Sequence, residues 1–171
     1  MKHIILPILI LVSLTTSAQK PIKITTDIDA FTGDTSISTG FIKFQEPLGG
    51  NIGLMFTCHY QGGIYYLASI LAMDNLTTMD AGDQMVIKLQ DGSLITLMAA
   101  DYAVSSYNGN ESYTLITAYP ISIDDLTRLS LTTIDLVRIQ TSEGNQDREP
   151  SPKKSPEACR LAFEQFVEYL K

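Results

Sequence analysis

A mainly β fold is predicted: an antiparallel sandwich or partly open barrel built from hairpins, with a short helix near 123–129 and a C-terminal helix packed on the sheet. Three observations predict it. Apolar and polar residues alternate with period two along most of the chain, glycine-bearing turns separate the alternating runs, and helical spacing is confined to two segments near the end. Parallel βαβ architecture needs a crossover helix between successive strands, and the pattern has too few.

The start, MKHIILPILILVSLTTSAQ, has Lys2 before an apolar run from Ile4 to Leu14, then small and hydroxylated residues up to Ala18. This is the order of a secretory signal peptide over 1–18, cleaved near Ala18 to leave Gln19 as the new terminus. The apolar run falls short of the ~20 residues a membrane-spanning helix needs. Residues 19–141 then form the β-rich domain, 142–154 a polar linker, and 155–171 a helix belonging to the same domain. The roughly 150 residues left after cleavage suit one hydrophobic core.

Ile22 to Ala30 alternates as a half-buried strand, Phe31-Thr32-Gly33-Asp34 reads as a turn, and Thr35 to Phe44 returns as strand with Gly40 marking a bulge or bend. Gly53 to Tyr60 and Ile64 to Met73 flank Gln61-Gly62-Gly63 as a second hairpin. The glycines and His59 argue against fusing these runs into one membrane helix. Gln84 to Gln90 and Ser93 to Asp101 flank Asp91-Gly92, a pair suited to a tight primed turn. Ser112 to Tyr119 makes a further strand that Pro120 interrupts.

Ser122 followed three residues later by Asp125 resembles a capping box and starts a short helix. Ile134 to Gln140 is strand, and the polar, proline-bearing stretch from Ser142 to Lys154 reads as a loop. In SPEACRLAFEQFVEYLK, Ser155 can cap, Pro156 fits the first helical turn, and Glu157 favours the positive end of the dipole. Cys159, Ala162, Phe163, Phe166, Val167 and Leu170 then recur on one face.

The formal charge is −7, becoming −8 once Lys2 leaves with the signal, and Lys153-Lys154 is the only adjacent basic pair. Phosphate backbones and anionic membranes would repel such a chain overall, so nucleic acid is not an expected partner, and the mature chain is expected to have no membrane span.

FTCHYQ, residues 56–61, sets Cys58 beside His59, but strand neighbours point to opposite faces and do not form a catalytic pair. Cys58 is expected in the core with Leu54, Phe56 and Tyr60. His59 is the one histidine left after cleavage, which excludes a three-histidine zinc site. Asp27 and Asp29 share a face about 7 Å apart, a spacing open to a glycosidase pair but more often a solvated strand face.

Asp74, Asp80 and Asp83 in DNLTTMDAGD are the calcium candidates, against the plainer reading of Asp and Asn turn chemistry. Eight tyrosines and no tryptophan make Tyr65, Tyr66, Tyr102 and Tyr107 candidates for a ligand surface that stacks on sugar rings, against ordinary cross-strand pairing. Cys58 and Cys159 are candidates for a disulfide, the alternative being two separate buried thiols. No catalytic residue and no cofactor is assigned.

The signal ending Thr16-Ser17-Ala18-Gln19, the acidic strand-rich body with Ile64-Tyr65-Tyr66-Leu67 and Asp91-Gly92, and the closing helix resemble the small uncharacterised secreted proteins of Bacteroidetes. That resemblance implies secretion or a periplasmic location in a bacterium, and nothing about substrate. Two functional classes fit the sequence. The favoured one is an exported binding or interaction module with a protein or glycan ligand. The alternative is a small carboxylate-dependent hydrolase, acting for example on glycans. A nucleophile elbow, metal cluster or phosphate loop would favour an enzyme, and the sequence holds none.

Overall fold

The computed structural model describes residues 21–30, 32–45, 53–108, 112–151 and 156–171. The expected signal peptide, with its cleavage site, and the helix cap Ser155 lie outside them. The strands are β1 (Ile24–Ile28), β2 (Thr35–Thr39), β3 (Ile42–Gln45), β4 (Leu54–Gln61), β5 (Ile64–Met73), β6 (Thr78–Met79), β7 (Gln84–Leu89), β8 (Leu94–Met98), β9 (Ala103–Val104), β10 (Ser106–Tyr107), β11 (Tyr113–Ile121), β12 (Ile134–Thr141) and β13 (Gly144–Arg148). The helices are α1 (Ile123–Leu131) and α2 (Pro156–Tyr169).

The predicted fold class is the observed one. A seven-stranded antiparallel sheet curls into a half-barrel in the order β1-β2-β4-β5-β11-β10, with β3 also paired to β4. A four-stranded sheet runs β13-β12-β7-β8, and β6 pairs with β9. The inner faces of the two larger sheets and the apolar faces of both helices meet in one core that includes Phe56, Leu71, Ile87, Tyr119, Val137 and Phe163.

Local chemistry explains the joints. In the β4–β5 hairpin Gln61 pairs with Ile64, so Gly62 and Gly63 alone form the turn, with φ of +58° and +85°. Two consecutive left-handed residues match the twist of the flanking strands. β2 and β3 pair with successive halves of β4, and the chain breaks between them at Gly40-Phe41. There the N–H of Cys58 donates to the buried Thr39 Oγ1 at 2.9 Å, a side chain standing in for the missing ladder partner.

Three expectations are corrected. The Asp91-Gly92 turn is wider than a two-residue primed turn. Gly92 N donates to Leu89 O, and Leu89 N to Ser93 O, so the loop is Gln90-Asp91-Gly92 with Gly92 at φ +84°. Asp91 Oδ1 accepts from Ser93 N at 2.9 Å, which fixes the exit strand.

Pro120 does not interrupt its strand: β11 continues to Ile121, with Pro120 opposite Tyr66. β10 pairs only with Tyr113 and Thr114, and although Ala100 N donates to Ala118 O at 2.9 Å, no strand among the described residues pairs with this side of β11 at Pro120, where a missing N–H is tolerated.

The stretch read as a linker contains β13, paired along β12. Its sequence, GNQDR, has no apolar alternation to betray it. The strand is held by ladder bonds and by Arg138, which sits opposite Asp147 and grips its carboxylate with Nε at 2.6 Å and Nη2 at 2.7 Å.

α1 starts as predicted. Ser122 Oγ accepts from Asp125 N at 3.0 Å, and the shorter Asp returns the bond to the Ser122 hydroxyl, at 2.9 Å, rather than to its backbone. On α2, Cys159, Ala162, Phe163, Phe166 and Val167 are buried, as their spacing requires. No helix among the described residues is long and apolar enough to cross a membrane.

Candidate functional site

The outward faces of the two large sheets differ in kind. On the four-stranded sheet, Lys88 pairs with Asp135 and Arg138 with Asp147, the ordinary dress of a solvated face. None of the ion pairs among the described residues lies on the outward face of the seven-stranded sheet. Register there places Lys43, Met55, Ile70 and Ile116 side by side across four strands. The next row is Thr57, Ala68 and Ala118, and the one beyond is His59, Tyr66 and Pro120. Ile116, a large aliphatic side chain at the β11 end of this row, is 59% exposed.

Small residues set the relief of the surface. Ala72 and Thr114 oppose each other beside Met55 and Ile70 and leave a hollow of about 310 Å³ between the larger side chains. Its wall is mostly apolar, with Lys43 and Gln45 supplying polar groups from β3. Lys43 makes no ion pair with a described carboxylate. Gln45 Oε1 is buried without a hydrogen-bond partner. A second cleft of about 250 Å³ is polar, lined by Asp74, Asn75, Glu143, Gln146 and Arg148.

The residues singled out from sequence fall in several places. Cys58 is buried, and His59 projects from the opposite face of β4, so the two do not meet. His59 Nε2 lies 2.8 Å from Thr57 Oγ1, and partial burial holds its pKa below the ordinary histidine value. Tyr65 and Tyr66 face opposite sides of β5. Tyr65 packs against Tyr60 with ring centroids 5.0 Å apart and planes tilted by 39°, while Tyr66 lies opposite His59.

Tyr107 stands at the far end of the β5–β11 ladder, edge-on to Tyr113 at 5.5 Å, and seven residues of strand, roughly 24 Å, separate that end from Tyr66. Tyr102 is exposed just before β9. The four tyrosines do not converge on one surface.

Among the aspartates, Asp74 lines the polar cleft, whereas Asp80 and Asp83 close the β6–β7 turn, Asp80 N donating to Asp83 Oδ2 at 2.8 Å. Among the described residues no group of three His, Cys, Asp or Glu side chains could hold a metal ion. Asp27 is exposed on β1, and Asp29 lies past its end with Oδ1 accepting from Thr32 N, so the pair serves a strand edge and a turn.

Sequence reading missed the outward sheet face, although its signal was present. LMFTCHY and IYYLASILAM are nearly continuous in apolar residues, and a strand apolar at both odd and even positions has two faces to cover. Taking only the richer face as the core left Met55 and Ile70 unexplained.

Compared with known proteins, the chain matches no family model, no curated protein and no solved structure.

Proposed function

We propose that this chain is an exported binding module whose ligand sits on the outward face of the seven-stranded sheet. The observation that carries the reading is the row Met55, Ile70 and Ile116, apolar side chains in register on a face free of ion pairs among the described residues. Contiguous apolar surface of this kind marks a binding site more often than idle exposure does. Export rests on the charged, apolar and small-residue order of residues 1–18, and the likeness to small secreted proteins of Bacteroidetes supports a bacterial periplasm or exterior.

A solvatochromic dye such as anilinonaphthalene sulfonate tests the site. The folded chain from residue 19 onward is expected to bind it saturably, and Ile70→Glu and Ile116→Lys to abolish that binding while the melting temperature stays within a few degrees. Equal dye binding by wild type and both variants removes the face from consideration.

A further inference from the structure

We propose that the hollow beside Ala72 binds a single-chain anionic amphiphile, a medium-chain carboxylate, whose tail lies along Met55 and Ile70 and whose headgroup meets Lys43. The inference rests on the outward-face reading above and gives it a ligand class.

Three features argue for this occupant. The wall is apolar where Met55, Ile70 and Ala72 form it, so the body of the ligand is hydrocarbon. Among the described residues the wall carries one cation, Lys43, and no carboxylate, and that charge favours an anion at the mouth. The Lys43 methylenes can lie along the apolar rim while the ammonium stays in water, which places the headgroup at the edge of the hollow and not inside it.

Size narrows the class further. About 310 Å³ is the small end of the ~300–1,000 Å³ that ligand pockets occupy, enough for one aliphatic chain and too little for a two-chain lipid. The formal charge of −8 on the chain from residue 19 onward, −7 less Lys2, repels anions at long range, so attraction must be local to Lys43 and weaken with salt.

The test is calorimetric titration of the chain from residue 19 onward with decanoate below its micellar concentration, methyl decanoate and decyltrimethylammonium. Decanoate is expected to bind at least about tenfold more tightly than the neutral ester, with the cation weakest. Lys43→Gln should erase the difference between acid and ester without removing ester binding. Ala72→Phe, which fills the hollow, or Ile70→Glu if that variant folds poorly, should abolish binding of all three.

Equal affinity for decanoate and its ester in the wild type overturns the headgroup assignment and leaves the apolar face standing. Dye binding that Ile70→Glu removes, with no binding of any ten-carbon ligand, overturns the amphiphile and again spares the face. Absence of both dye and ligand binding takes down both readings. Binding to phosphatidylglycerol vesicles without binding to monomeric decanoate, or a concentration-dependent dimer that Ile116→Lys dissolves, would replace the ligand with a membrane or a second copy of the chain.

Discussion

Phe56 on β4 and Phe163 on α2 face each other across the core with ring centroids 6.3 Å apart and planes tilted by 47°. Both side chains are completely buried. This contact joins the C-terminal helix to the largest sheet, and Phe44 extends it, 5.8 Å from Phe56. The helix therefore completes the core rather than decorating it. Phe163→Ala is expected to cost about 3–5 kcal/mol by urea unfolding, through lost burial and the cavity left behind. Phe163→Leu should cost much less, since it keeps the site filled. Similar small costs for the two would mean that α2 is peripheral.

Arg160 ties the two helices together. Its Nη1 donates to Ser130 O at 2.6 Å, near the C-terminal end of α1, where orphan carbonyls and the negative end of the dipole favour a cation. Glu157 and Glu164 hold the guanidinium from either side along α2. Arg160→Met is expected to destabilise by about 1–2 kcal/mol, because the carbonyl loses a charge-assisted partner. Arg138→Gln, which breaks an exposed bidentate pair with Asp147, should produce no resolvable loss in the same unfolding assay. A reversed order would assign the stabilisation to β13 instead of the helix pair.

How much of this was legible depended on whether each element leaves a local signal in the sequence. The β4–β5 hairpin, α1 and α2 do, through the Gly62-Gly63 turn, the Ser122 cap and the Cys159-to-Val167 stripe, and the sequence places all three. β13 leaves none, because it is held along β12 by backbone bonds that every residue type can make. Pro120 misled for a related reason: its tolerance depends on there being no strand paired beyond it among the described residues, which only the strand order reveals. The candidate hollow depends on Lys43 and Gln45 of β3, Met55 of β4 and Ala72 of β5 meeting from three different strands. No local window contains that meeting. The apolar excess on β4 and β5 was visible in sequence, but its partners across the sheet were not.

Export is tested directly by mass spectrometry of the protein recovered from a bacterial envelope or culture fluid. Lys2, the apolar run from Ile4 to Leu14 and Thr16-Ser17-Ala18 set the expected cleavage. The recovered chain should begin at or near Gln19, one formal positive charge poorer than the precursor. An envelope form retaining Met1 would instead make the apolar run an anchor and place the domain at a membrane surface.

Cys58 and Cys159 belong to one core, the first on β4 and the second on α2, and both are free thiols. Burial pushes the Cys159 thiol up to about 12. It pushes Cys58 higher still, with the charge of a Cys159 thiolate as a further cause. Burial likewise raises Tyr119 to about 12, its hydroxyl donating to Met79 Sδ at 3.3 Å.

In the unfolded chain these groups ionise near their ordinary values of 9.0 and 10.0. Above about pH 9 the unfolded state therefore releases protons that the folded state still holds, and stability falls as pH rises. The contribution is complete below pH 9 and is lost progressively towards pH 12, so the melting temperature should drop across that window. Cys159→Ala should blunt the drop.

At neutral pH neither thiol should react with a thiol reagent in the native protein, since the reactive thiolate is suppressed, and both should react once it is denatured. A disulfide formed in an oxidising compartment would leave no thiol to titrate, and the alkaline drop would shrink to the share of Tyr119. The two measurements must therefore agree. Two thiols with a steep alkaline loss place free cysteines in the core, and no thiols with a shallow one place a bridge there.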